Sequence, residues 1–312
     1  MRHILYCWID IIGEKEITIK AWREISTDNK NEADVNILGI TFDGAASVGK
    51  GAALGPEQIR KCTEVLPPVN SIGTFFRDLK VYDAGDVEFS LDWSTYYANV
   101  TAKAAELLET DNFCIFIGGD HSVTIPLGKA LRKIHPDKKI GFIHFDSHPD
   151  LCDEYEGHKW SHACPLCRVL EDTISPGDLA QVGIRSYEYE EVEFINAHPE
   201  LMVIKAYEIF RDGYEACTER LIRKFRDYDF VYITLDIDVL DPAFAPGTGT
   251  PEAGGLSSRE LIYIINELMK NTHVKAMDIV EVAPPLDTEN QITSWAAAKV
   301  IYEVFANISE RK

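Results

Sequence analysis

Seven short apolar runs rich in β-branched residues recur along the chain and constrain its fold more than any other feature. The runs are 35–42, 113–117, 140–145, 180–182, 202–204, 230–235 and 274–280. Continuous apolar runs of this length are typical of parallel strands that are covered on both faces. Stretches with the helical spacing of apolar residues lie between them, at 96–108, 125–134, 214–225, 258–269 and 292–308. The alternation predicts right-handed βαβ crossovers and an α/β fold, namely a three-layer α/β/α sandwich around a mainly parallel sheet.

Nothing in the sequence divides this pattern into separate units, because it contains no internal repeat, low-complexity tract or linker rich in Pro, Gly and Ser. The 312 residues, of which 46% are hydrophobic, are enough to bury one large core. We therefore expect a single domain over residues 1–312, with residues 1–34 as an N-terminal extension packed on it.

The N-terminal region carries charged residues before any apolar run is long enough for a signal peptide or a membrane span. The chain has seven cysteines, an odd number that does not indicate a secreted disulfide framework. We expect free thiols, a cytoplasmic location and no membrane partner.

The charge balance is strongly acidic, with 51 Asp and Glu against 31 Lys and Arg and a net charge of -20. Such a field repels phosphate backbones and concentrates cations, so nucleic acid is excluded as an expected partner and a cationic small molecule is favoured. The acid excess fits equally well with solubility alone.

Potential metal ligands follow three of the predicted strands, where ligands bind in open α/β sheets. They are His121 in the sequence Gly-Gly-Asp-His-Ser, the alternating set Asp146, His148 and Asp150, and the pair Asp236 and Asp238. Residues two apart in an extended segment point the same way, so each alternating set can converge on one point. The sequence therefore predicts one cluster of four carboxylates and two imidazoles.

Four carboxylates cannot share a pocket unless cations neutralise them. Mixed oxygen and imidazole ligands suit Mn²⁺ better than a structural Zn²⁺, which favours thiolates and imidazoles. Two such ions per subunit can lower the pKa of a shared water toward neutrality. The pattern thus indicates a binuclear manganese hydrolase.

Two other motifs offer competing interpretations. Residues 44–50 match the first seven positions of a phosphate-binding P-loop, but the eighth position, which should be Ser or Thr, is Gly51. Cys164 and Cys167 have the spacing of a redox pair or half a zinc site, yet no second such pair is present. A nucleotide-binding site and a zinc or redox site remain the alternatives.

Taken together, the motifs resemble the ureohydrolase family, which includes arginase, agmatinase, guanidinobutyrase and formiminoglutamase. The resemblance runs from Gly39 to about Glu281. It rests on segment 55–60, the GGDHS turn, the DxHxD and DxDxxDP clusters, the loop 246–251 and the sequence Glu-Val-Ala-Pro at 281–284. It implies a three-layer arginase fold and a trimeric or hexameric homo-oligomer, and agmatinase is the most similar member.

The resemblance also implies the role of each ligand. One Mn²⁺ would be held by His121, Asp146, Asp150 and Asp236, and the other by Asp146, His148, Asp236 and Asp238. Asp146 and Asp236 would bridge the two ions. Ser147 departs from the family pattern, which has alanine there, and we expect its side chain to point away from the ligands with little effect.

Two further residues resemble catalytic residues of the family. Glu281 matches the glutamate that pairs with the substrate guanidinium, and a carboxylate can hold this planar group by two hydrogen bonds. His162 matches the histidine that relays protons to the leaving amine, a role suited to an imidazole near neutral pH. His158 is the rival for this role, but the Ser-His-Ala context and the spacing from Asp150 favour His162.

The loop 151–156 bears on the substrate tail. Arginase reads the carboxylate of arginine with polar groups, including an asparagine, in this loop, whereas this chain has Cys152 there and three acids nearby, among them Asp153. Acids should repel a carboxylate and attract an ammonium group, which favours agmatine, with putrescine and urea as products and a place in polyamine synthesis.

Other guanidino compounds remain open as substrates: guanidinobutyrate, arginine, formiminoglutamate and guanidine itself. The acids of the loop could also face solvent and select nothing. A non-catalytic metal-binding relative is the alternative from a different class, although the presence of both His162 and Glu281 argues against it.

Overall fold

The computed structural model describes residues 20–311. Over this range nine strands form one sheet in the order β1-β3-β2-β4-β9-β8-β5-β6-β7, and each pairing between neighbours is parallel. The strands are β1 (Ser26–Thr27), β2 (Val35–Gly39), β3 (Val81–Asp86), β4 (Phe113–Ile117), β5 (Ile140–Phe145), β6 (Leu179–Ile184), β7 (Met202–Lys205), β8 (Phe230–Asp236) and β9 (Val274–Val280).

The seven predicted runs all become strands, β2 and β4 to β9. The sequence did not predict β1, which has two residues, or β3, whose outer end is polar and exposed. In β3, Asp83 and Asp86 bind the guanidinium of Arg60, with Arg60 Nε 2.8 Å from an Asp83 oxygen. These charge pairs let a polar segment occupy the sheet, so apolar periodicity alone does not reveal it.

Nine α-helices cover the sheet within residues 20–311. They are α1 (Gly55–Thr63), α2 (Trp93–Leu108), α3 (Thr124–Ile134), α4 (Pro165–Asp172), α5 (Tyr189–Ala197), α6 (Ala206–Asp212), α7 (Tyr214–Phe225), α8 (Ser258–Asn271) and α9 (Ile292–Glu310). The five predicted helices correspond to α2, α3, α7, α8 and α9. The four that were not predicted have nine residues or fewer, too few turns to establish a clear period.

Side chains of the central strands alternate between two apolar cores, one on each face of the sheet. Ile115 of β4 packs in the core that also contains residues of α1, α7, α8 and α9, while its neighbour Phe116 packs in the core with residues of α2, α3 and α4. Both side chains are fully buried. The predicted three-layer α/β/α sandwich with a parallel sheet is confirmed.

The sheet brings the important strand ends together. β4, β9, β8 and β5 are consecutive neighbours, and their registers end level, with Ile117 opposite Ile279 and Phe145 opposite Leu235. The segments that follow these strands therefore leave the sheet side by side.

The segment before β2 contacts the rest of the fold through Trp22. This side chain is 1% exposed, packs edge-on against Phe305 of α9 and donates a hydrogen bond of 2.7 Å to Asp83. Residues 1–19, which make up most of the expected N-terminal extension 1–34, lie outside the described residues, and the single-domain assignment stays a prediction. Between residues 20 and 311, no helix has the length and apolar character needed to span a membrane.

Candidate metal centre

The six predicted ligands converge at the carboxyl ends of β4, β5 and β8. His121 Nδ1 lies 3.0 Å from an oxygen of Asp146 and 3.0 Å from one of Asp150. It lies 3.3 Å from an oxygen of Asp236. On the other side of Asp146, His148 Nδ1 lies 3.1 Å from Asp238 and 3.4 Å from Asp146. Asp146 is thus shared between an inner group around His121 and an outer group around His148.

The donor set fits divalent cations. Within residues 20–311, His121 Nδ1 is a buried polar atom without a well-formed hydrogen bond, although three carboxylates surround it. Imidazole nitrogen and carboxylate oxygen are the ligands that Mn²⁺ and similar ions accept. Ligand atoms of His121, Asp146 and Asp150 lie within 4.8 Å of one another, as do those of Asp146, His148 and Asp238.

Backbone amides fix the carboxylates in place. Asp146 accepts a hydrogen bond of 2.6 Å from the amide of His148, and Asp236 accepts one of 2.8 Å from the amide of Asp238. Asp238 in turn accepts one of 3.0 Å from the amide of Ser147. Each bond uses one carboxylate oxygen and leaves the other facing the centre, so the backbone amides orient these ligands.

Two residues of the site have a left-handed backbone conformation that non-glycine residues adopt at an energetic cost. These are Asp150, with φ of 55°, and Glu281, with φ of 62°. The amide of Glu281 donates a hydrogen bond of 2.7 Å to the carbonyl of Gly119, which keeps the strand-end loops after β9 and β4 together. Strain of this kind persists where the surroundings fix it, and it concentrates at functional sites.

Gly119 lets the turn after β4 pack closely against the loop after β2, and this packing positions His121. A Cβ atom at position 119 would overlap the carbonyl oxygen of Phe42, so a larger residue would push the turn away from the loop after β2. The next amide, of Asp120, donates to that same carbonyl at 2.8 Å. The Gly-Gly pair is therefore a packing requirement of the site.

Charge crowding shifts the pKa values of the ligands. Burial, together with the charge of Asp146, raises the pKa of Asp150 to about 7. Burial and the charges of Asp238 and Asp146 raise the pKa of Asp236 well above its usual range. Burial would lower the pKa of His121, but the neighbouring carboxylates outweigh it and raise that pKa well above 6.5. Without metal the cluster retains protons, which bound cations would replace.

His162 lies at the edge of the cluster, beside Glu281. Its Nδ1 is 3.6 Å from Oε1 of Glu281, and its Nε2 is 2.9 Å from the hydroxyl of Ser47. Burial would lower the pKa of His162, but Glu281 outweighs this effect and raises it to about 9. The rival, His158, is exposed and packs on the ring of Trp93. The structure therefore places His162, and not His158, beside the cluster.

The sequence did not reveal three side chains that support this geometry. Ser47 belongs to the segment interpreted as a possible P-loop, and it contacts His162. Thr234 lies 2.9 Å from Nε2 of His121 and donates a hydrogen bond of 2.7 Å to Asp278, a buried carboxylate on β9. Because the Thr234 hydroxyl donates to Asp278, it accepts from His121, which leaves Nδ1 of His121 free to face the carboxylates. Only the in-register pairing of β8 with β9 could have indicated this contact.

The expected orientation of the Ser147 side chain was wrong. Its side chain is buried, and its hydroxyl lies 2.9 Å from Nδ1 of His148. The hydroxyl contacts the ring of the next residue, so the alternation of side chains along the segment does not separate it from the ligand. Ser147 therefore belongs to the surroundings of the outer group.

A cavity of about 140 Å³ opens onto the cluster, and its outer part is built from the loops after β5 and β6. The residues that line this outer part include Cys152, Tyr155, Ser186, Tyr187 and Glu188.

Asp153 is not among the residues that line the cavity. It pairs instead with Arg168 at 2.6 Å and with Lys159 at 3.2 Å, and its side chain is 65% exposed. The structure thus does not bring Asp153 to the site, whereas it brings Glu188 there, a residue not singled out in the sequence.

The P-loop motif does not form the site that it suggested, and the cysteine pair forms neither a disulfide nor an activated redox pair. In the segment 44–51, the amide of Gly51 donates to the carboxylate of Asp43, and Gly49 packs against the backbone of Gly249, which leaves no cradle for a phosphate. Every cysteine within residues 20–311 is a free thiol, as expected. Burial raises the pKa of Cys164 to about 12 and also raises that of Cys167, so neither is activated for redox chemistry.

Comparison with known proteins supports the same conclusion as the geometry. The model of the Arginase family matches residues 33–306. An agmatinase from Bacillus subtilis (strain 168) is 36% identical over 282 residues, which cover 88% of this chain and 91% of that protein.

Two solved structures have the same fold. The agmatine ureohydrolase of Thermoplasma volcanium superposes with a TM-score of 0.83 and 30% identity over 95% of this chain and 96% of that one. The proclavaminate amidino hydrolase from Streptomyces clavuligerus superposes with a TM-score of 0.82 and 29% identity over 90% and 93% of the two chains.

The family match spans every strand-end segment of the centre, from the loop after β2 to the loop after β9. The family and the hydrolase class predicted from the motifs are both confirmed, and this chain belongs to the arginase family.

Proposed function

We propose that this protein is a binuclear manganese hydrolase that cleaves agmatine to putrescine and urea. The observation that carries the proposal is the composition of one cavity. At its inner end are His162 and cluster residues that include Asp150 and Asp236, with Glu281 3.6 Å from His162, and at its outer end is Glu188. Agmatine has a cation at each end of an apolar chain, so both ends of the molecule would meet a carboxylate.

The metal-holding roles follow the two groups of the cluster. His121, Asp150 and the shared residues Asp146 and Asp236 would hold the inner ion, and His148 and Asp238 would complete the outer site with the same shared residues. When bound, two Mn²⁺ ions would supply activated water as the nucleophile at neutral pH. The chain itself must then position the guanidinium carbon and provide a proton for the leaving amine.

Glu281 is the residue proposed to hold the guanidinium. Its Oε1 accepts a hydrogen bond of 2.9 Å from the amide of His121, so the carboxylate is fixed at the edge of the cluster. A guanidinium is protonated at any physiological pH, and a carboxylate can bind its planar edge through two hydrogen bonds. Such binding would orient the central carbon for attack and reduce the entropic cost of reaching the transition state.

His162 is the residue proposed to donate a proton to the leaving amine. With a pKa of about 9, its imidazole is charged at neutral pH and can donate a proton. The leaving group is a primary amine, which must gain a proton as the C–N bond breaks. Ser47, hydrogen-bonded to Nε2, and Glu281, near Nδ1, would keep the ring oriented toward the substrate.

The outer end of the cavity favours an ammonium tail over a carboxylate tail. No Lys or Arg is found among the cavity-lining residues in the described part of the chain. A carboxylate-ended substrate such as arginine or 4-guanidinobutyrate would lose hydration there without gaining a cationic partner. Glu188 would attract the ammonium group of agmatine and repel a carboxylate.

Urea release tests the proposal. The purified protein is stripped with a chelator, reloaded with Mn²⁺ and offered agmatine, arginine, 4-guanidinobutyrate and guanidine separately. We expect urea and putrescine from agmatine, no urea from the metal-free protein, and recovery on adding Mn²⁺. Urea only from a different guanidino compound would refute the assignment of agmatine and retain the reaction. No urea from any of these substrates would favour a non-catalytic relative.

Three accompanying expectations rest on the same proposal. The substrate is a small guanidinium cation, and its product putrescine would place the enzyme in polyamine synthesis in the cytoplasm. The assembly is expected to be a homo-oligomer, a trimer or a hexamer. Sedimentation or mass photometry of the Mn²⁺-loaded protein would distinguish these from a monomer.

A further inference from the structure

A third histidine, His144, lies directly behind the proposed metal centre. It is on β5, two residues before Asp146, and it is fully buried. One of its ring nitrogens lies within 4.8 Å of the ligand atoms of His121, Asp146 and Asp150. Its position is compatible with two roles, an additional metal ligand or a residue that orients a ligand.

The hydrogen bonds of His144 decide between these roles. Its Nε2 is 2.8 Å from Oδ2 of Asp146, and its Nδ1 is 3.2 Å from Nε2 of Gln181 on β6. The same amide nitrogen of Gln181 donates a hydrogen bond of 2.6 Å to the carbonyl of Pro149. An amide nitrogen has two hydrogens and no lone pair to offer, so Gln181 also donates to His144. Nδ1 of His144 must therefore accept, and the ring proton must be on Nε2.

The reverse orientation of the Gln181 amide is excluded by its surroundings. It would place Oε1 against the carbonyl oxygen of Pro149, and two acceptors repel each other at that distance. The orientation present leaves Oε1 buried without a hydrogen-bond partner in the described part of the chain. The amide nitrogen of Gln181 thus contacts both His144 and Pro149, although in this orientation the amide oxygen has no hydrogen-bond partner among the described residues.

We propose that His144 is a positioning residue for the metal centre, which donates its Nε2 hydrogen to Asp146, and that Gln181 selects the tautomer that makes this donation possible. The proposal rests on the proposed function, in which Asp146 is the shared metal ligand. Oδ1 of Asp146 accepts from the amide of His148, and Oδ2 accepts from His144, so both oxygens have a defined direction. A carboxylate that bridges two ions needs this control, because rotation about its terminal bond would misplace both sites at once.

The hydrogen bonds give the ring of His144 one donor and one acceptor. Nε2 donates to Asp146 and Nδ1 accepts from Gln181, which is the pattern of a neutral imidazole. Removal of such a hydrogen bond behind a metal ligand typically costs about 10- to 100-fold in metal affinity.

Two substitutions at position 144 separate the hydrogen bond from the packing. His144→Leu removes both ring nitrogens. His144→Gln keeps a donor, because the amide nitrogen of glutamine is as many bonds from Cα as Nε2 of histidine. Titration of the full-length, chelator-stripped protein with Mn²⁺ alone, with free Mn²⁺ followed by its electron paramagnetic resonance signal, gives the number of sites and the affinity of each.

We expect His144→Leu to bind Mn²⁺ about 10- to 100-fold more weakly than the unaltered protein, and His144→Gln to recover most of that loss. Gln181→Leu, which removes the amide that selects the tautomer, should weaken binding by less than His144→Leu does. The thermal unfolding midpoints of the metal-free variants check that each is folded. If the leucine variant does not fold, the glutamine variant and Gln181→Leu still test the proposal.

Two results would overturn the proposal. One is unaltered Mn²⁺ affinity in folded His144→Leu or in Gln181→Leu. The other is a loss in His144→Gln as large as in His144→Leu, since packing and not donation would then explain the effect. A failure of the proposed function looks different: the unaltered protein would bind two Mn²⁺ ions with the expected order of variants and still release no urea from agmatine.

Discussion

The two ends of the cavity are built in different ways. At the inner end, the side chains of His121 and Asp146 are 1% exposed and directly follow the central strands β4 and β5, and a backbone amide holds the Asp146 carboxylate. At the outer end, Tyr187 is 36% exposed, and it stands with Glu188 on the loop between β6 and α5. The inner end is thus fixed by the core of the fold, while the outer end can change without disturbing that core.

The difference suggests that the inner end controls the chemical step and the outer end controls substrate selectivity. Residues on the strand ends should control the rate of the chemical step, because their geometry is fixed before the substrate binds. Residues on the outer loops should control which tail is accepted, and hence KM. The same sheet could then serve different guanidino compounds by loop variation alone, and substitutions at the two ends should affect different kinetic constants.

The largest effect is expected at Asp146, the shared ligand. Asp146→Ala should lower urea release from agmatine by about 10³-fold or more, because both proposed ions would lose a ligand and, in the proposed function, they supply the activated water that attacks the substrate. The measurement is urea release at saturating Mn²⁺ with metal content determined in parallel.

Asp227→Asn, at a side chain that is 87% exposed, is the matched control and should retain full activity. Retention of two tightly bound ions and full activity in Asp146→Ala would contradict the assigned centre.

A smaller loss in kcat is expected at His162. His162→Asn should lower kcat by about 10²- to 10⁴-fold, with little change in KM, because it removes the proton donor but not Glu281. The protonated imidazole is the active form, so kcat/KM should fall as the pH rises through about 9, and this alkaline limb should disappear in the variant.

His158→Asn is the control for His162, since His158 is exposed outside the cavity. If His158→Asn had the larger effect, or if the alkaline limb persisted unchanged in His162→Asn, the assignment of the proton donor would be wrong.

At the outer end, a substitution is expected to change KM rather than kcat. Glu188→Gln should raise KM for agmatine by about 10-fold, the equivalent of one charge-assisted hydrogen bond of roughly 1.4 kcal/mol, and leave kcat nearly unchanged. It should also reduce the discrimination against arginine, because a negative charge near the substrate carboxylate is lost. Steady-state kinetics with both substrates test this, with Glu193→Gln, at an exposed position on α5 that does not line the cavity, as the control. A fall in kcat with constant KM would mean that the two ends are not separate.

The same contrast explains what the sequence could predict. The ligands follow apolar runs and alternate in extended segments, so strand periodicity is enough to place Asp146, His148 and Asp150 on one side. The polar strand β3 has no apolar run that would reveal it in the sequence. Its acids are accommodated in the sheet because Arg60 of α1 neutralises them. Contacts between distant segments, such as Ser47 with His162, depend on how loops fold over the sheet, and local spacing does not encode them.

Asp153 shows where reasoning from loop composition reaches its limit. The sequence suggested that the acids after the DxHxD cluster attract an ammonium tail. The structure instead pairs Asp153 with Arg168, whose side chain is 7% exposed, and with Lys159. Arg168 comes fifteen positions later, on α4, and only the tertiary fold brings the two together. Two cationic partners neutralise the negative charge of this carboxylate, so it attracts a substrate ammonium group only weakly.

Asp153→Asn is therefore expected to have the smallest effect of all. KM for agmatine should change by less than about twofold, because exposed ion pairs contribute at most about 1 kcal/mol to stability and this one does not reach the cavity. The comparison with Glu188→Gln, measured under the same conditions, is the sharpest test of where selectivity lies. If Asp153→Asn raised KM as much as Glu188→Gln, the loop after β5 would have to close over the substrate, and the outer end of the cavity would be completed only when agmatine binds.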